Sequence, residues 1–107
     1  LRLDVAVKPI LRVDGRPVVG PGRYRLLKAV DEEGTLKGAA ERVGWSYEYA
    51  RRSVRAIEEV VGEPVVVTER GGSGGGRAVL TETGKKLVRE YERALERIRG
   101  AGLDVIL

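Results

Sequence analysis

Residues 35–61 read TLKGAAERVGWSYEYARRSVRAIEEVV, two helical patterns that meet at Gly44-Trp45. In the first, Thr35 is placed to cap a short helix burying Leu36, Ala39, Ala40 and Val43, and Gly44 suits the left-handed position that ends it. In the second, Ser46 is the cap, and Tyr47, Ala50, Val54, Ile57 and Val61 recur at the three- and four-residue spacing of one buried face. Glu48, Arg51, Arg52 and Arg55 then point outward. Clustered guanidinium groups repel one another on a helix surface, so an anionic partner would reward an arrangement that is otherwise mildly unfavourable. The small side chains of Ala39 and Ala40 let the helices approach, and Gly44-Trp45-Ser46 has the length that joins paired helices at a steep angle. The stretch predicts a helix-turn-helix.

Downstream, Gly62 and Pro64 stop the second pattern, Val65 to Val67 read as a strand, and Ala78-Val79-Leu80 as its partner. Between them lies GGSGGG, residues 71–76, flanked by Arg70 and Arg77, a hairpin tip able to lie along a duplex. It lacks the Gly-Lys-Ser/Thr ending of a P-loop and the G-x-G-x-x-G spacing of a dinucleotide site. From Thr81 the longest helix carries Leu87, Val88, Tyr91, Ala94, Leu95 and Ile98 on one side. A stripe this long predicts a second surface, which makes Leu87, Tyr91, Leu95 and Ile98 the expected contacts of a homodimer.

Upstream, Leu1, Leu3, Val5 and Val7 alternate with Arg2, Asp4, Ala6 and Lys8, the period of a strand with one buried face. Leu11 and Val13 face Val18-Val19 across Asp14-Gly15, a hairpin turn. Pro21 opens a first helix whose Tyr24, Leu26, Leu27 and Val30 are apolar, ending at Gly34. The fold class is mainly α with small β. It is a single winged helix-turn-helix domain, residues 1–107, with a β leader and N-terminal β-hairpin (1–20), three helices (21–61), a wing (64–81) and a long C-terminal dimerisation helix (82–100).

Composition narrows the chemistry. The 107 residues suit one domain, and the net charge of +4 permits a nucleic-acid partner without demanding one. Cys, His, Met, Phe, Asn and Gln are all absent. That removes disulfides, thiolate or imidazole metal sites, and Cys- or His-based catalysis, so no enzyme activity, metal or cofactor is expected. With charged residues at 34%, the profile also fits a thermophilic source. No apolar run is long enough to span a bilayer, so no membrane partner is expected and a cytoplasmic protein is. The acidic groups Asp31-Glu32-Glu33 and Glu58-Glu59 have no converging partner and read as solvated.

With these motifs assembled, the chain resembles the N-terminal DNA-binding domain of the molybdate-responsive, ModE-type transcriptional regulators, itself similar to that of LysR-type regulators. LLKAVDEEGTLKGAAERVGWSYEYARRSVRAIEE (26–59) looks like that family's helix-turn-helix, and TERGGSGGGRAVLTETGKKLV (68–88) resembles its glycine-rich wing and the L-T-x-x-G start of the dimerising helix. LDVAVKPILRVDGRPVVGPG (3–22) resembles the leader of archaeal and bacterial relatives. The resemblance implies a dimeric DNA binder of archaeal-type lineage. Longer members continue into an oxyanion-binding domain, and this chain is expected to lack the molybdate-sensing part.

The partner is then double-stranded DNA. Arg51 and Arg55 are the expected base readers, and Ser46, Tyr49 and Arg52 contact phosphates or base edges near the groove. Tyr47 stands at the same helix start but shares the buried stripe, leaving Tyr49 as the exposed tyrosine. Glu48 can accept from cytosine N4. Thr35 and Lys37 hold the backbone from the preceding helix, while Arg70, Ser73 and Arg77 touch flanking DNA from the wing. Trp45 reads as a core anchor. Two other readings are compatible with these residues: a DNA-binding architectural protein without sequence preference, and a winged-helix module for protein contact.

Overall fold

The structure, a computed structural model, describes residues 1–69 and 76–107. Its elements run β1 (Ala6–Val7), β2 (Leu11–Val13), β3 (Arg16–Val19), α1 (Pro21–Glu33), α2 (Leu36–Val43), α3 (Tyr47–Val61), β4 (Val66–Glu69), β5 (Arg77–Leu80), α4 (Glu82–Gly100) and β6 (Asp104–Val105). The strands pair as three two-stranded sheets: β1 with β6, β2 with β3, and β4 with β5. This is the winged helix-turn-helix order expected from the sequence.

Hydroxyl caps open three of the four helices. Thr35 Oγ1 accepts from the Gly38 N–H at 2.9 Å, Ser46 Oγ from the Tyr49 N–H at 3.1 Å, and Thr81 Oγ1 from the Gly84 N–H at 3.1 Å. Each such cap is worth about 1 kcal/mol. Gly34, Gly44 and Gly62 close α1, α2 and α3 in the left-handed conformation, as a residue without Cβ allows. The core beneath is built from Leu26, Leu27 and Val30 of α1, Ala39 and Ala40 of α2, and Ala50, Val54 and Ile57 of α3.

The wing is fastened at both ends. The Glu58 carboxylate, on α3, accepts from the Val65 N–H at 2.8 Å, which uses an acid read from the sequence as merely solvated. The Val65 carbonyl accepts from the Thr81 N–H at 3.0 Å, and Thr81 Oγ1 donates to the Pro64 carbonyl at 2.7 Å. Gly84 packs so closely beneath that a Cβ there would collide with the Val65 carbonyl oxygen. The L-T-x-x-G run is therefore a cap and a close approach in one motif. Across the domain, the Ala78 N–H of β5 donates to the Gly34 carbonyl at 2.8 Å, tying the wing to the α1–α2 corner.

One expectation is corrected. Residues 1–5 form no strand, and Leu1, Leu3 and Val5 are exposed; only Ala6–Val7 pairs, in parallel, with Asp104–Val105. Alternation sets which side chains share a face, but the chain offers those five no surface to cover them. The hairpin at Asp14-Gly15 does form, with φ of 50° and 80°, the positive pair of a type I′ turn, and Leu11 and Val13 pack on the core. On α4, Leu87, Tyr91 and Leu95 are buried within this chain at 8%, 1% and 4% exposure. The Tyr91 ring stacks on Tyr24 of α1 at 4.6 Å between centroids, and its hydroxyl donates to the Pro9 carbonyl at 2.9 Å. The leader and α1 supply the second surface, and of the four expected contacts only Ile98 keeps partial exposure.

Candidate nucleic-acid interface

The helix α3 shows two opposed faces. Ala50, Ser53, Val54 and Ile57 are buried, while Glu48, Arg52, Arg55 and Glu59 are exposed and Arg51 is half-buried. Among the described residues neither Arg52 nor Arg55 has a carboxylate within 4.0 Å, so both guanidinium groups face solvent without a neutralising partner. Arg51 is less free. It lies 3.4 Å from the Glu48 carboxylate, and its Nε is buried without a hydrogen-bond partner among the described residues. The Arg51–Glu48 pair is exposed and of the kind worth a few tenths of a kcal/mol. A phosphate could displace it.

Tyr47 is a correction: it is 49% exposed, as is Tyr49, because the first turn of α3 projects beyond the core that covers Ala50 onward. Both hydroxyls are thus presented at the start of the helix. Tyr49 also organises its neighbours. Its ring meets Trp45 edge to face at 4.7 Å, and the Arg52 guanidinium lies over it, 5.9 Å from the ring centroid and within cation–π range. Trp45 is half-buried rather than fully enclosed and sits against Gly22, where a Cβ would stand 2.9 Å from its ring.

Ser46 is exposed, and since its oxygen accepts from Tyr49, the hydroxyl hydrogen remains free to donate. Thr35, half-buried, is in the same position at the start of α2, next to exposed Lys37. Arg77 is exposed at the start of β5. Arg70 and Ser73, with the rest of the glycine tip up to Gly75, lie outside the described residues. The titratable groups with shifted values belong to α1 and α4. Burial and a hydrogen bond to Glu92 push Tyr24 up to about 12, and burial raises Tyr91. Burial alone would raise Glu92, but hydrogen bonds from Tyr24 and Lys28 outweigh it and hold the carboxyl below its ordinary value.

No described helix is long and apolar enough to cross a membrane. Comparison with known proteins agrees with the geometry. MopA of Rhodobacter capsulatus, a molybdenum-pterin-binding protein, is 40% identical over 77 residues, covering 72% of this chain and 29% of that protein. ModE of Escherichia coli K12, a DNA-binding transcriptional dual regulator, is 30% identical over 96 residues, covering 90% of this chain and 36% of that protein. The chain thus spans about a third of the length of such relatives. They are bacterial, and lend no support to an archaeal-type or thermophilic source. Among solved structures, the CbnR DNA-binding domain in complex with DNA superposes with a TM-score of 0.56 at 28% identity, covering 75% of this chain and 86% of that one. Residues 22–85, which include the helix-turn-helix and the wing, match the bacterial regulatory helix-turn-helix proteins of the lysR type, and the chain belongs to that family.

Proposed function

We propose that this chain is the DNA-binding part of a homodimeric transcriptional regulator, acting in the cytoplasm, with α3 in the major groove and the wing against flanking DNA. The observation that carries the reading is the α3 face on which Arg52 and Arg55 stand exposed with no carboxylate partner among the described residues, opposite buried Ala50, Val54 and Ile57. A duplex supplies the missing anions through its phosphates, and guanine presents the acceptor pair that a guanidinium fork matches. Tyr47, Tyr49 and Ser46 surround the entry of the helix into the groove, Thr35 and Lys37 hold the strand from α2, and Arg70, Ser73 and Arg77 extend contact along the wing. Arg51 joins the base readers once a phosphate or base edge releases it from Glu48. Two copies place their α3 helices about one turn, roughly 34 Å, apart on the duplex. No catalytic step is assigned to the chain.

Selection of bound duplexes from a random pool tests the reading. Without Asn or Gln, the side chains that pair bidentately with adenine, direct readout falls to arginine, and the enriched core is expected to be defined by guanine. A core defined by adenine in the major groove would refute it. Enriched DNA should bind roughly 10³-fold or more above bulk DNA, whereas a sequence-indifferent architectural protein would show little preference.

A further inference from the structure

A cleft of about 430 Å³ opens beside the start of α3, between the leader, the first turn of α1 and Trp45. Lys8 from the leader and Arg23 and Arg25 from α1 line it together with Gly22, Trp45 and Tyr49, and no carboxylate side chain does. None of the three cations has a carboxylate within 4.0 Å among the described residues. Arg23 is fixed, its Nη1 donating to the Val18 carbonyl at 3.0 Å. The Arg25 guanidinium reaches back along α1 to 4.0 Å from where a Cβ of Gly22 would stand, beside the Trp45 ring. Both Lys8 and Arg25 are exposed. Tyr49 lines the cleft and also stands on α3 under Arg52, so the cationic cleft and the α3 surface are continuous.

We propose that this cleft is a second DNA-backbone site, in which Lys8 and Arg25 neutralise phosphates of the strand running past the start of α3. The inference rests on the DNA-binding reading above and adds residues that reading did not include. It makes the leader part of the interface, although Lys8 lies outside the matched residues 22–85. Open side chains of one sign beside a groove-reading helix suit a polyanion that is itself continuous, and contacts of this kind set register and affinity without reading sequence.

The test follows binding of a selected duplex and of an unrelated duplex of equal length by fluorescence anisotropy over a KCl series. It compares the unaltered full chain, Lys8→Gln with Arg25→Gln, and Arg51→Ala with Arg55→Ala. Each lost phosphate contact lowers the slope of log K against log salt by about 0.9, so the cleft pair is expected to lower it by about 1.8 on both duplexes with the preference between them unchanged. The slope does not depend on the active fraction, so partial misfolding cannot imitate the result. A slope equal to that of the unaltered chain overturns the proposal while leaving the α3 reading standing. If the unaltered chain binds neither duplex, both fall. The only tryptophan, Trp45, lines the cleft. An emission change with inorganic phosphate that duplex does not produce would overturn the proposal in favour of a small-anion site.

Discussion

Two glycines of one helix show how much a single hydrogen atom in place of a methyl can decide. Gly84 lies under the Val65 carbonyl with no room for a Cβ, and Gly100 has nothing within 4 Å. Gly84→Ala should therefore destabilise the domain by about 1–3 kcal/mol despite a better helix propensity, because backbone rather than a flexible side chain must move. Gly100→Ala should be neutral to stabilising by up to about 1 kcal/mol. Urea unfolding of the two variants checks the contrast, and equal effects would show that the close approach is absent. Tyr24 gives a pH prediction. Its folded value, about 12, is above the ordinary tyrosine value of 10, so its contribution is complete below pH 10 and is lost as pH rises toward 12. Tyr24→Phe should flatten that alkaline loss, measured by stability at stepped pH. The caps at Thr35, Ser46 and Thr81 were legible because capping is local chemistry. The role of Glu58 was not, since the N–H it accepts from lies beyond the turn at Gly62 and nothing in the sequence aims the carboxylate at it.

At the level of elements, amphipathic spacing located the buried faces of α1, α2 and α3 but could not name what covers them. Tyr47 falls on the stripe by arithmetic and outside the core by position, one turn before the covering elements begin. The leader failed in the same way: its alternation is real, yet residues 1–5 lack a neighbouring strand. On α3 the sequence divides the arginines by contact, Arg51 and Arg55 for bases and Arg52 for phosphates or base edges, whereas the structure separates them by their acids. Arg52→Ala or Arg55→Ala should weaken duplex binding by about 1–3 kcal/mol when the lost side chain reads a base. Arg51→Ala should cost less, because truncation also removes a buried, unpaired N–H. Titration against the enriched duplex ranks the three, and a dominant Arg51 would reverse the assignment.

Across the whole molecule, the leader and α1 pack against the α4 stripe. With Tyr91 against Tyr24 and Pro9 and Leu95 buried beside them, Leu95→Ala should lower stability by about 2–4 kcal/mol at every protein concentration. Thermal unfolding over a hundredfold dilution checks this; a loss confined to high concentration would return Leu95 to a dimer contact. Sequence could show that the stripe needed a cover and not whose surface supplied it, because both answers leave the same pattern along the helix.

The backbone hydrogen bond from β5 to the α1–α2 corner gives Ala78 two allegiances. By position it belongs to the wing, and by its tie to Gly34 it is held to the helical corner. An Ala78 amide that exchanges as slowly as those of α1 and α2 would show that this strand opens only with the helices.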